Sequence, residues 1–271
     1  MDTPPREVSS RLDVTVAKKT DLEFQITVAA VPGIGVDEEL TVTIDGSPVE
    51  PEEVVTESGN RIHRLQVEDD HRVLVDYHAV VHAPGEPLAV TSLDRSIYLR
   101  PSRYAEADKF FGFVAGQFDL SEEPGVLLNR VTDFVRSRLN YLPGASDPID
   151  GATDTLLANA GVCRDFAHLV VALLRALNIP ARLVAVYAPG CHPMDFHAVA
   201  EAVIDDEWVV VDATGLAPRS SLVRIATGRD AADTAFLDNH GGNITMNSYS
   251  VTAITQGPLP QDDGTQRVSI A

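Results

Sequence analysis

GVCRDFAHLVVALLRALNIPAR, residues 161–182, decides how the chain is read, because it sets one of only two cysteines at the start of a helix-forming run. Phe166, Leu169, Val170, Leu173, Leu174 and Leu177 recur at three- and four-residue steps, the apolar face of an amphipathic helix. The helix is expected to stop at Asn178-Ile179-Pro180, since proline cannot continue it. Cys163 falls in the first turn, where unsatisfied N–H groups and the positive end of the helix dipole favour a thiolate over a thiol. The small residues Gly161 and Ala167 leave room there for a substrate backbone. The ordinary fate of a free cysteine is core filling; this placement suits a nucleophile.

A nucleophilic thiol needs a base within hydrogen-bond reach, and the base needs an acceptor to orient it. Downstream, ARLVAVYA (181–188) and FHAVAEAVI (196–204) read as strands, and EWVVVDATG (207–215) opens as a strand covered on both faces. His197 opens one strand and Asp212 closes the next. The short turn at Asp205-Asp206-Glu207 makes the two antiparallel and brings both residues to one end of the sheet. Packing the Cys163 helix against that end completes a Cys-His-Asp set.

Outward from this block the pattern divides. Before it, Leu12, Val14, Val16, then Leu22, Phe24, Ile26, Val28, alternate with polar residues. The period-2 theme continues through Leu40, Val42, Ile44, through Ile62, Leu65, Val67, and through Val73, Val75, Tyr77, Ala79. A β-sandwich over residues 1–95 is expected. Leu127, Leu128, Val131, Phe134, Val135 and Leu139 mark a helix that stops before Pro143-Gly144. NITMNSYSVTA (243–253) reads as one more strand. The fold class is therefore α+β, with a catalytic core over 96–256 in which the nucleophile helix packs on an antiparallel sheet. Residues 257–271 read as a polar, mobile tail.

Four blocks, GVCRDFAHL, ALNIPARLV, DFHAVAE and EWVVVDATG, resemble the core of the bacterial transglutaminase-like superfamily of papain-like cysteine enzymes. YLRPSRYAEAD (98–108) resembles the stretch that joins that core to a β-rich N-terminal region. The strongest match covers about 150–216. By position the resemblance makes Cys163 the nucleophile, His197 the base and Asp212 its orienting partner. Two places depart from the family: Val199 stands where an aromatic usually follows the histidine, and Ala213 where a proline often follows the aspartate. Both changes are expected in the wall of the substrate groove.

The chemistry this implies is acyl transfer on an amide in a peptide or protein substrate, through a thioester. Water as acceptor makes a narrow-specificity peptidase or amidase, the reading preferred here, and an amine makes a transglutaminase. The third alternative is a binding or scaffold module that keeps the fold without turnover. The oxyanion is expected to meet the Cys163 backbone N–H and one further donor, Tyr141 or Asn140.

Rival readings are weaker. Cys163, Cys191, His192 and His197 are zinc-ligand types, but no Cys-x-x-Cys pair is present and Cys191-His192 are adjacent. No calcium loop or nucleotide loop is visible, so neither metal nor cofactor is expected. Cys191 reads as a loop residue near the site, His168 as a helix residue satisfied by a local hydrogen bond, and Trp208 as core. Arg164 and Asp165 read as surface or supporting residues, with Asp165 favoured at a helix start. The chain has 40 Asp plus Glu against 21 Lys plus Arg, a net charge of −19, which disfavours nucleic acid and anionic membranes as partners. The opening MDTPPREVSS has no basic stretch leading into an apolar run, and no apolar run reaches membrane-span length. With two cysteines and no disulfide framework, a reducing cytoplasm is the expected compartment.

Overall fold

In the computed structural model, which describes residues 4–270, the alternating segments become β1 (Arg6–Lys18), β2 (Thr20–Phe24), β3 (Gly35–Ile44), β4 (Ser47–Val49), β5 (Glu52–Val55), β6 (Arg61–Val67) and β7 (His71–Ala83). Alternation puts Leu12 and Val14 of β1 opposite Val75 and Val73 of β7, all buried, against Leu22 and Phe24 of the facing sheet. Ile26 and Val28 are buried as expected but lie beyond the end of β2. Their backbone is satisfied by tyrosines instead of a neighbouring strand: the Tyr187 hydroxyl donates to the Ile26 carbonyl (2.6 Å), and the Val28 N–H donates to the Tyr77 oxygen (3.0 Å).

The catalytic part follows with α1 (Ser92–Tyr98), α2 (Phe111–Gln117), α3 (Pro124–Arg138), β8 (Asn140–Tyr141), α4 (Ala152–Ala158), β9 (Ala160–Gly161) and α5 (Cys163–Ala176). Then come β10 (Ala181–Tyr187), β11 (Phe196–Ile204), β12 (Glu207–Val211) and β13 (Val223–Gly228), an antiparallel sheet of order β12-β11-β10-β13. The chain ends its regular structure with β14 (Leu237–His240) and β15 (Asn243–Thr255).

Two expectations are corrected here. Residues 237–255 do not belong to the catalytic core. β15 pairs with β1 along its length, from Arg6↔Thr255 to Lys18↔Asn243, and β14 pairs with β2. The sandwich sheets are β15-β1-β7-β3-β4 and β14-β2-β6-β5, built from both ends of the chain, with the catalytic core inserted between. Local alternation says that a segment is a strand but not which sheet it joins. Nor are residues 257–270 of the expected mobile tail loose. Val268 accepts from the Val210 N–H of edge strand β12 (2.8 Å), Asp262 holds Arg219 through two nitrogens (2.8 and 2.9 Å), and Ile270 is only 4 % exposed. The edge of β12 needs an acceptor for its outward N–H, and the tail supplies it.

Helix α5 also differs from a simple amphipathic helix. Its stripe faces Ala200, Ala202, Val209 and Val211 of the sheet as expected, but the opposite side is buried too. Its buried polar residues find partners within the protein, although His168 Nδ1 and Arg164 Nε have none. Arg175 donates to the carbonyls of Ala181, Arg100 and Arg229 and to the Ser102 hydroxyl. His168 accepts from the Ala231 N–H (3.1 Å) and stacks on Tyr104, so its partner is distant in sequence rather than local. Burial pushes its imidazole down to about 3. Trp208 is core as expected, with the Arg182 guanidinium 3.6 Å over its ring.

Beneath the sheet Glu201 is fully buried between Arg182 (2.8 Å) and Arg224 (2.5 Å). Arg224 also donates to the Ile270 carbonyl, tying this cluster to the tail. Removing the carboxylate leaves two buried guanidiniums unpaired. We expect Glu201→Ala to lose about 3–5 kcal/mol of unfolding free energy, read as a lower urea midpoint. A loss below about 1 kcal/mol would show that the cluster is hydrated.

Candidate active site

The N-terminus of α5 is built by a glycine and a carboxylate. Asp165, in the first turn, accepts from the Val162 N–H (2.7 Å) and closes the helix start. A Cβ on Gly161 would lie 2.7 Å from the Asp165 carboxylate, so only glycine lets this cap form. Asp165 is thus a buried capping residue and not a surface one. Arg164 donates to Ser146 Oγ (2.6 Å) and the Asp147 carbonyl (2.8 Å), pinning the preceding loop beside the helix start. Cys163 is presented as the first helical residue, 9 % exposed, its thiol directed to the Phe196 carbonyl (3.9 Å).

The strand pairing brings His197 and Asp212 together. Ala200 pairs with Val211 and the intervening turn is closed by Asp205 and Asp206, both at positive φ. His197 Nε2 donates to Asp212 Oδ2 at 2.9 Å, with both side chains closed to solvent. The other carboxylate oxygen accepts from the Thr214 N–H (2.8 Å) and hydroxyl (2.6 Å), and the Asp212 carbonyl accepts from Arg136 (3.1 Å). The Cys163 thiol stands beside this pair, directed at the carbonyl of Phe196, the residue that precedes His197 in β11. Burial alone would push the His197 imidazole down; the Asp212 charge and hydrogen bond, with the Cys163 contact, outweigh it and hold it well above its ordinary value. Burial would likewise raise Asp212, and His197 and Thr214 reverse that and hold it low. The three residues read from the sequence are therefore one constellation.

The two oxyanion candidates separate. The parallel pair Tyr141↔Gly161 carries Tyr141 to the helix start, and its phenol is raised first by burial and then by the charges of Cys163, Cys191 and Asp195, opposed by the Cys163 N–H. The Asn140 amide instead donates to the Asn159 carbonyl (3.3 Å), committed to the β8–β9 junction and not to the thiol. Cys191 is buried near the triad, where burial pushes its thiol up. Val199 and Ala213 do not line the groove as expected. Val199 packs under the sheet in a cluster with Cys191, Val210 and Ile270, and Ala213 packs with the helices. Thr214 and Arg136 carry roles that the sequence reading assigned to neither. A hydroxyl two residues after Asp212 was the available signal for Thr214.

A cleft of about 400 Å³ is lined by Arg136, Thr214, Gly215, Arg219 and Asp262. Of Cys163, His197 and Asp212, it meets only Asp212. Among the described residues, no three His, Cys, Asp or Glu side chains are grouped as a metal would need, and no helix is long and apolar enough to cross a membrane.

A model of the transglutaminase-like superfamily matches residues 114–213, a span that contains Cys163, His197 and Asp212. Over its full length the chain is similar to a candidate cysteine protease of known structure from Cytophaga hutchinsonii, with 32% identity, a TM-score of 0.88, and coverage of 100% of this chain and 99% of that one. The chain belongs to the transglutaminase-like superfamily. An uncharacterised protein of Mycobacterium tuberculosis is 27% identical over 258 residues, 81% of this chain and 80% of that protein. One of Mycobacterium leprae is 27% identical over 148 residues, 51% of this chain; the match spans about half of that relative's length, 52%.

In this transglutaminase-like site the charges of His197 and Asp212 couple to stability. His197 is raised, so its contribution is full below the unfolded value of about 6.5 and is lost as pH rises through the folded value. Asp212 is lowered, so its contribution is full above about 3.9 and is lost as pH falls through the folded value. The pair contributes fully between about pH 4 and 6.5 and fades on the alkaline side. We expect urea stability of the wild type to fall more steeply than that of His197→Gln between about pH 7 and 10. Parallel slopes would mean that the folded imidazole is neutral.

Proposed function

We propose that the chain is a cysteine hydrolase that cleaves amide bonds in a peptide or protein of narrow range. The observation that carries this reading is the buried His197 ring, bonded to Asp212 through Nε2, with the Cys163 thiol beside it at the Phe196 carbonyl. Similarity over the whole chain to a candidate cysteine protease supports it. The two unpaired thiols suit the reducing cytoplasm, our proposed compartment.

In the first half-reaction the Cys163 sulfur attacks the amide carbon, a C–S bond forms, and the carbonyl electrons move onto oxygen. The Cys163 N–H and the Tyr141 hydroxyl are the proposed donors to that oxyanion. Collapse breaks the C–N bond, and the His197 imidazolium gives its proton to the departing amine. The neutral imidazole then takes a proton from water, which attacks the thioester. Breakage of the C–S bond releases the acid and restores the thiolate–imidazolium pair. Asp212, bonded throughout to Nε2–H, holds the ring in the orientation both proton transfers require.

The test begins with alkylation by iodoacetamide at neutral pH, mapped by mass spectrometry, with Cys191 as internal control. Cys163 is expected to react at least about tenfold faster in the wild type than in His197→Ala. A proteome-derived peptide library should be cut by the wild type and left intact by Cys163→Ala. Tyr141→Phe should lower kcat/KM on any peptide so found by about 10²-fold or more, mostly in kcat. An inert Cys163 would return the chain to a binding-module role. Amine incorporation without cleavage would make it a transferase.

A further inference from the structure

One group of side chains beside Cys163 has no part in the triad. Asp195, exposed and two residues before His197, accepts from the Phe196 N–H through Oδ1 (2.7 Å) and from the Tyr249 hydroxyl through Oδ2 (3.2 Å). Tyr249 comes from β15, so the sandwich reaches the catalytic part here. Its ring is 46 % exposed and lies nearly parallel to Phe196 (6.4 Å, 15°), with Phe236 completing the stack (4.8 Å from Phe196). Phe196 in turn offers its carbonyl to the Cys163 thiol. A short path therefore leads from the nucleophile to an open aromatic face with a carboxylate at its rim.

The electrostatics of that rim are one-sided. Among the described residues, Asp195 has no Lys, Arg or His within ion-pair distance, 4.0 Å, unlike Asp212 or Glu201. The Tyr249 phenol is raised by burial and then by Asp195 and Cys163, and the charges raising Tyr141 on the other flank are Cys163, Cys191 and Asp195. The nearest guanidinium along the chain from Cys163, Arg164, is tied to Ser146 and Asp147.

We propose that Asp195 and Tyr249 form a specificity subsite that selects a lysine or arginine side chain on the acyl-donor peptide, next to the bond that Cys163 attacks. The subsite rests on the hydrolase reading. An arginine or lysine stem lies flat on the exposed tyrosine face while its charge meets the free lone pairs of Asp195. A glutamate in the same position would meet a carboxylate and the negative edge of the cleft. The net charge of −19 extends this preference outward by drawing cationic peptides toward the protein.

The experiment compares Cys163 modification by three reagents on the full chain: neutral iodoacetamide, a cationic trimethylammonium-ethyl thiosulfonate and an anionic sulfonatoethyl thiosulfonate. Rates are read by peptide mapping in the wild type, Asp195→Asn and Tyr249→Leu. Asp195→Asn is expected to cut the cation-to-anion rate ratio at least about fivefold. Tyr249→Leu should lower the same ratio by a smaller factor. In parallel, the peptide amide Ala-Ala-Arg-Ala-Ala should slow neutral labelling of wild-type Cys163 more than Ala-Ala-Glu-Ala-Ala does, and Asp195→Asn should abolish the difference. An unchanged charge ratio, or equal protection by the two peptides, overturns the subsite while Cys163 remains a nucleophile. A Cys163 that resists even the neutral reagent overturns the hydrolase reading and the subsite with it.

Discussion

The hydrogen bond from His197 to Asp212 is the constraint on which the rest of the structure depends. Both groups are closed to solvent, and burial on its own would leave one neutral imidazole and one protonated acid. Their mutual charge and hydrogen bond oppose that: Thr214 covers the second carboxylate oxygen, and the nearby Cys163 also favours the charged ring. That arrangement requires the start of β11, the end of β12 and the start of α5 to meet at one point. Much of the remaining architecture holds those three ends in place.

The supports are themselves polar. Arg136, reaching from α3, donates to the Asp212 and Ala213 carbonyls, so the loop after β12 is held by a helix from the other side. The tail covers the outer edge of β12 through Val268 and clamps Arg219 through Asp262. At the far end of α5, Arg175 gathers three carbonyls and a hydroxyl from three separate segments. Each of these is a directional interaction, which fixes position in a way that apolar contact alone does not. The consequence is that the two flanks of the proposed site, Tyr141 and Tyr249, come from elements distant in sequence.

The sandwich belongs to this arrangement. Its interior is continuous with one face of the catalytic sheet, since Tyr187, Val223, Ile225 and Ala226 share a cluster with the residues of β1 and β7. Tyr187 bonds into the sandwich at Ser10 and Ile26, and Asn60 exchanges two hydrogen bonds with Thr227. The two parts are packed as one body around shared apolar surface. Closing the sandwich with β15 also carries Tyr249 over Phe196.

By itself the sequence determined what is local or carried by short spacings. Period-2 alternation located most of the sandwich strands, three- and four-residue spacing located α3 and α5, and the Asp205-Asp206 turn paired β11 with β12. From these, with the helix-start position of Cys163, the proximity of His197 and Asp212 was legible, and with it the set proposed here. Tertiary structure alone decided which sheet β14 and β15 join, that the polar tail is a covering strap, and that α5 is buried on every side. It also decided that Tyr141 is carried to the start of α5 while Asn140 is committed to Asn159, and that Val199 and Ala213 are interior. The physical reason is common to these cases. Side-chain periodicity records that a face is buried, whereas the partner that buries it is chosen by hydrogen bonds and contacts between residues far apart in the chain.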